Sequence, residues 1–117
     1  MKLLVVDDDP AVVGMLRDYF APRSFQVLTA GTAVEAIDLA FQEKPDSVIL
    51  DLVLPDFSGE EVLRRIKKSL PEIRVLILTG QTDPELEPRL KSLGCDSFLN
   101  KGTSLRSLEN ILHSWSR

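Results

Sequence analysis

The 117-residue chain has very little of several residue types that define specialised protein classes. Its one cysteine, Cys95, cannot form a bridge within the chain, and its one histidine lies outside any Cys/His cluster that could bind structural zinc. We therefore expect neither a secreted disulfide scaffold nor a zinc module, and a cytoplasmic location fits best. The first apolar run, residues 3–6, is far shorter than a signal peptide or a membrane span, so no membrane association is expected.

Basic charge is also scarce. The chain has 14 Lys and Arg against 18 Asp and Glu, a net charge of −4, and no segment carries a stripe of basic residues. Direct nucleic-acid binding is therefore not expected. Apolar residues make up 44% and charged residues 27% of the chain, as in ordinary folded domains, which predicts one domain over residues 1–117.

Five short apolar runs rich in β-branched residues predict five strands, at residues 3–6, 25–29, 47–50, 75–78 and 97–99. Apolar residues at helical spacing fill the segments between them. Three of the runs are continuously apolar, which is typical of strands buried on both faces of a parallel sheet. We therefore predict a three-layer α/β domain with any ligand site beyond the C-terminal strand ends.

Residues that typically begin or end helices agree with this pattern. The expected helix-ending residue is Gly94, and the expected N-caps are Asp9 before Pro10, Thr32, Ser58 and Thr103. In the fourth helix, Pro84 suits a first helical position, but Pro88 would then interrupt the hydrogen bonding one turn later. The sequence therefore predicts a short or displaced fourth helix.

Polar residues follow the predicted strands. Asp7 and Asp8 close the first strand, Asp51 the third and Thr79 the fourth, and Lys101 follows the fifth. Two carboxylates about 5 Å apart repel by roughly 3 kcal/mol at an effective dielectric near 20, and one lysine cannot neutralise three of them. A hard divalent cation, Mg²⁺ first, would complement this edge.

An acidic pocket with a cation, a hydroxyl and a lysine suits phosphoryl transfer onto a carboxylate, with Asp51 as the acceptor. The simpler interpretation is that the acids after the first strand cap a helix and that Asp51 starts a turn. We favour it for Asp9 alone, and a functional role for Asp7 and Asp8.

Four parts of the chain, VVDDDP at residues 5–10, DLVLPDFSG at 51–59, LTG at 78–80 and Lys101, closely resemble the receiver domain of two-component response regulators. The resemblance covers the whole chain. It implies a doubly wound, five-stranded parallel sheet in the order 2-1-3-4-5 flanked by five helices, the flavodoxin-like and CheY-like arrangement.

The resemblance also implies the roles of the acidic residues. Asp51 would accept a phosphoryl group from a histidine kinase or a phosphotransfer protein. Asp8, Asp51 and the backbone carbonyl of Val53 would hold Mg²⁺ or Mn²⁺, with Asp7 acting on the ion through water.

The remaining family roles fall on four residues. Thr79 would bond a phosphoryl oxygen beside the amide of Gly80, and Lys101 would pair with the phosphate. Phe98 lies where the family has an aromatic side chain that swings inward with Thr79. The fourth helix, fifth strand and fifth helix would then signal to an output protein or domain, and the resemblance allows a homodimer.

Gly102 departs from the family, which usually has proline at this position, joined to the preceding lysine by a cis peptide bond. A cis bond before glycine costs about 2.5 to 4 kcal/mol, so we expect a trans bond and a less well positioned Lys101.

Three other functions compete with this prediction. A haloacid-dehalogenase-type phosphatase would use Asp7 as its nucleophile, but it usually needs a longer chain. A flavodoxin-like module would place a flavin phosphate against Asp7, Asp8 and Asp9, which would repel it. A receiver-like domain that binds its partner without phosphorylation is the third, and Gly102 keeps it open.

Overall fold

Five parallel strands form the central sheet of the computed structural model, which describes residues 1–116. They are β1 (Lys2–Val6), β2 (Gln26–Ala30), β3 (Ser47–Leu50), β4 (Arg74–Thr79) and β5 (Ser97–Asn100). The strands lie in the order β2-β1-β3-β4-β5, and every neighbouring pair is parallel. The predicted doubly wound topology is confirmed, and each predicted strand matches an observed one within one residue at either end.

Helices cover both faces of the sheet. They are α1 (Pro10–Phe20), α2 (Ala33–Glu43), α3 (Gly59–Ser69), α4 (Leu86–Ser92) and α5 (Leu105–Trp115), with one turn of 3₁₀ helix over Ala21–Arg23. The longest have 11 residues, so none of the helices within residues 1–116 is long and apolar enough to cross a membrane.

Alternate residues of each central strand pack into two separate cores. In β1, Leu4 and Val6 face the core built with α2, α3 and α4, whereas Leu3 and Val5 face the core built with α1 and α5. All four are at most 1% exposed. This burial on both faces explains why the strand sequences are continuously apolar.

The fourth helix is short, as Pro88 predicts. It begins at Leu86, so Pro88 is its third residue, where a backbone N–H would have no partner within the helix. The first intrahelical bond comes from the amide of Arg89, which donates to the carbonyl of Glu85. Proline therefore breaks no hydrogen bond at this position, and the chain from Gly80 to Glu85 is left as a loop.

Most of the predicted helix ends are confirmed. The side chains of Thr32 and Ser58 each accept a backbone N–H three residues later, and Gly94 follows α4 with a φ of 103°. The prediction that Thr103 caps α5 is wrong. Ser104 is the N-cap, and its side chain accepts from the amide of Ser107. The amide of Thr103 is instead part of the preceding turn.

Candidate functional site

Three carboxylates meet at the C-terminal edge of the sheet. Asp7 and Asp8 follow β1 and Asp51 follows the adjacent β3, and one oxygen from each lies within 4.8 Å of the others. The sheet extends one residue into this site, since the amide of Asp51 donates to the carbonyl of Val6 at 3.0 Å. Asp7 and Asp51 are 4% and 5% exposed, whereas Asp8 is exposed to solvent. The predicted convergence of these acids is confirmed.

Lys101 bridges the two buried carboxylates. Its Nζ lies 2.9 Å from Oδ2 of Asp51 and 3.0 Å from Oδ2 of Asp7. Partial burial by itself would lower the pKa of Lys101, but the hydrogen bonds and charges of Asp51 and Asp7 outweigh it, so this pKa is raised above its ordinary value. The ammonium is therefore charged at neutral pH.

The cluster retains a surplus of negative charge. One ammonium stands against three carboxylates, and the remaining contacts to the buried pair are backbone amides: Asp9 N donates to Asp7 Oδ1 at 3.0 Å, and Val53 N approaches Asp51 Oδ1 at 3.4 Å. A set of closely spaced carboxylate oxygens, one of them open to solvent, fits a hard divalent cation that keeps some of its waters.

The loop after β5 holds Lys101 although it lacks proline. No peptide bond within residues 1–116 is cis, so the trans bond before Gly102 is confirmed. Nζ of Lys101 nevertheless reaches both carboxylates, and the expectation that it is less well positioned than in the family stays a prediction. Two hydrogen bonds hold the backbone of this loop: the amide of Lys101 donates to Thr79 O, and that of Gly102 to Asn100 Oδ1.

The other predicted residues flank the acids. Thr79 ends β4 fully buried, and its Oγ1 accepts from the amide of Gln81 at 3.2 Å, while Gly80 beside it is exposed. Phe98 is half-buried on β5 and packs against the core that includes α4. The side chain of Val53 points outward, with the residue 53% exposed. Their roles in phosphate binding, metal binding and switching remain predictions.

Two residues of the motif at 51–59, one in the loop after β3 and one at the start of α3, had no role assigned from the sequence. Gly59 packs so closely beneath Asp51 that an added Cβ would lie 2.7 Å from Cα of Leu52. Asp56 reaches across to α2, where its two oxygens accept from the amides of Ala33 at 2.8 Å and Val34 at 3.0 Å. The loop that follows Asp51 is thus tied to a second helix.

The Asp56 cap predicts an acid-sensitive contribution to stability. The hydrogen bond from Val34, aided by that from Ala33, lowers the pKa of Asp56 below its ordinary 3.8. A carboxyl with a lowered folded-state pKa stabilises the fold above its unfolded pKa and loses this effect as the pH falls through the folded value. Asp56→Asn, which keeps one acceptor oxygen, should lower the thermal midpoint at pH 7, and this deficit should be smaller at pH 3, below the ordinary pKa of an aspartate.

Asp38→Asn provides the matched control for this prediction, because Asp38 is an exposed residue of α2, the helix whose first amides Asp56 binds. It should change the midpoint little at either pH. A deficit of Asp56→Asn that is as large at pH 3 as at pH 7 would contradict the assigned role of the carboxylate.

Comparison with known proteins gives a consistent result. A family model described as "Response regulator receiver domain" matches residues 3–113. The chain is 34% identical over 119 residues to the response regulator protein VraR of Staphylococcus aureus, covering all of this chain and 57% of that protein. It therefore spans little more than half the length of this curated relative.

Solved structures agree with the sequence matches. A CheY-like response regulator receiver domain protein from Methanospirillum hungatei has a TM-score of 0.92 and 27% identity, with 98% of this chain and 93% of that chain covered. A response regulator from Burkholderia pseudomallei was solved with a phosphorylated aspartic acid, a calcium ion and citrate. It has a TM-score of 0.86 and 29% identity, with 92% of this chain and 63% of that chain covered.

Proposed function

Because the chain belongs to the family of response regulator receiver domains, we propose that Asp51 accepts a phosphoryl group from a histidine kinase or a phosphotransfer protein. The observation that carries this assignment is the position of Asp51, nearly buried between two further carboxylates and the Nζ of Lys101. An Asp51 oxygen attacks phosphorus as the bond from phosphorus to the donor breaks, so the carboxylate becomes an acyl phosphate.

Receiver domains bind a divalent metal at an acidic pocket, and the donor set of this chain fits Mg²⁺ or Mn²⁺. Asp8, Asp51 and the carbonyl of Val53 would hold the ion, with Asp7 acting through water. When bound, the ion supplies positive charge that offsets the charge on the phosphoryl oxygens. Lys101, whose Nζ contacts both Asp7 and Asp51, supplies a second positive charge.

Phosphorylation adds charge and acceptor oxygens beside two groups that can respond to them. The Thr79 hydroxyl, which accepts from the amide of Gln81, would donate its proton to a phosphoryl oxygen, with the Gly80 amide alongside. Phe98 would then turn into the space beside Thr79. The surface formed by α4, β5 and α5 would carry this change to an output protein or domain, and a homodimer is a further candidate partner.

This proposal makes the chain a switch in the cytoplasm with self-catalysed phosphorylation and dephosphorylation, not a metabolic enzyme. The related proteins support neither a haloacid-dehalogenase-type phosphatase nor a receiver-like domain that works without phosphorylation.

The test is to incubate the chain with acetyl phosphate and Mg²⁺, measure the intact mass, and trap the acyl phosphate chemically for peptide mapping. We expect one added phosphoryl group, absent in chelator, with the trapped label on Asp51. Label on Asp7 would favour the phosphatase, and no label at all would favour binding without phosphorylation. Mn²⁺ in place of Mg²⁺ should also support the reaction.

A further inference from the structure

The turn after β5 is organised by one side chain. Oδ1 of Asn100 accepts from the amide of Gly102 at 2.6 Å, and the carbonyl of Asn100 accepts from the amide of Thr103 at 2.9 Å. Asn100 therefore engages the backbone on the far side of Lys101 twice. Both Asn100 and Gly102 are exposed, so neither contributes to the hydrophobic cores.

These bonds fix the backbone on both sides of the Cα atom of Lys101. Before it, the amide of Lys101 donates to the carbonyl of Thr79 at 2.9 Å and extends the pairing of β5 with β4. After it, the next peptide group is held by Asn100. Two fixed peptide groups set the direction in which a side chain leaves the backbone, and for Lys101 that direction leads to Asp7 and Asp51.

Gly102 is suited to this turn for a reason other than an unusual φ. Its φ is not positive, so the backbone conformation itself does not need glycine. An added Cβ would lie 3.0 Å from Oδ1 of Asn100, closer than ordinary contacts. Proline would also remove the amide that donates to Asn100. The asparagine and the glycine therefore form a matched pair.

We propose that Asn100 is a positioning residue that holds Lys101 where its ammonium meets the incoming phosphoryl group. The inference rests on the proposed function, since it assigns a residue to the same reaction. Asn100 acts through Lys101 and not on the phosphoryl group itself. It takes over the constraint that the family usually obtains from proline after the lysine.

The test is a double-mutant cycle on the rate of phosphorylation by acetyl phosphate in saturating Mg²⁺. Asn100→Ala should slow the native chain by about tenfold and should cause no further loss when Lys101 is already alanine. Asn100→Asp, which keeps the acceptor oxygen, should retain most of the native rate. Equal losses from Asn100→Ala in both backgrounds would overturn the inference, because Asn100 would then act independently of Lys101.

A second cycle needs no phosphorylation. The unfolding midpoint in urea is measured for the native chain, Asn100→Ala, Lys101→Ala and the double variant, all in chelator. We expect the effect of Asn100→Ala on the midpoint to shrink when Lys101 is absent, whereas strictly additive effects would count against the inference. A native chain that takes up no phosphoryl group but shows this coupling would refute the proposed function and leave the link between Asn100 and Lys101 supported.

Discussion

Asp51→Asn should leave the chain unable to take up a phosphoryl group, yet make it more stable in the absence of divalent metal. The amide has no nucleophilic carboxylate, so incorporation from acetyl phosphate should fall to background. Asparagine has nearly the same shape as aspartate and can still accept from Nζ of Lys101, which lies 2.9 Å from Oδ2 in the native chain. Removing one of three clustered negative charges should therefore raise the free energy of unfolding by about 1 kcal/mol.

Intact mass and urea unfolding in chelator measure the two effects of Asp51→Asn. Adding Mg²⁺ should stabilise the native chain through binding and should stabilise the variant much less. Asp9→Asn is the matched control, because Asp9 caps α1 from outside the cluster and asparagine caps as well as aspartate. Normal labelling of Asp51→Asn, or lower stability than the native chain in chelator, would contradict the charge arrangement described for the site.

Gly59→Ala is expected to destabilise the chain by about 3 kcal/mol and to impair phosphorylation. Gly59 opens α3 directly beneath Asp51, and its amide donates to the carbonyl of Leu52 at 2.8 Å. The added Cβ would meet backbone atoms, among them Cα of Leu52 at 2.7 Å, and backbone cannot rotate away as a side chain can. The helix and the segment carrying Asp51 must therefore move apart.

Gly14→Ala is the control for this prediction, with the opposite expected sign. Gly14 lies inside α1, where an added Cβ would meet only the end of the Arg17 side chain, at 3.8 Å. Alanine should stabilise the helix by about 0.5 to 1 kcal/mol. Urea unfolding of both variants measures the two changes. Equal stability of Gly59→Ala and the native chain would contradict the close backbone contact described for Gly59.

The parts of the fold that follow from local chemistry were predictable from the sequence. The strands were marked by short apolar runs rich in β-branched residues, and the start of α4 was marked by Pro88. The N-cap of α5 was assigned one residue early because Thr103 and Ser104 both carry suitable hydroxyls. Only the turn that uses the amide of Thr103 decides between them.

The site residues predicted from the sequence pattern itself were those at strand ends, because parallel topology brings strand ends together wherever they lie in the chain. Val53, Gly80 and Phe98 were assigned only by the family resemblance. The supporting contacts were not predictable in the same way. Asp56 accepts from the amides of Ala33 and Val34, which precede it by more than 20 residues, and no local pattern indicates such a contact. Asn100 forms a short-range turn, but its importance depends on where Lys101 points in three dimensions.

The strand order also has a consequence for how the chain folds. The N-terminal strand β1 lies between β2 and β3, so Leu3 pairs on one side with Val27 and on the other with Ser47. Both pairings join residues far apart in sequence, and closing such loops slows folding. During synthesis, β1 has an unpaired edge until the ribosome has delivered β3. The two carboxylates after β1 therefore face Asp51 only once the residues through β3 have been made.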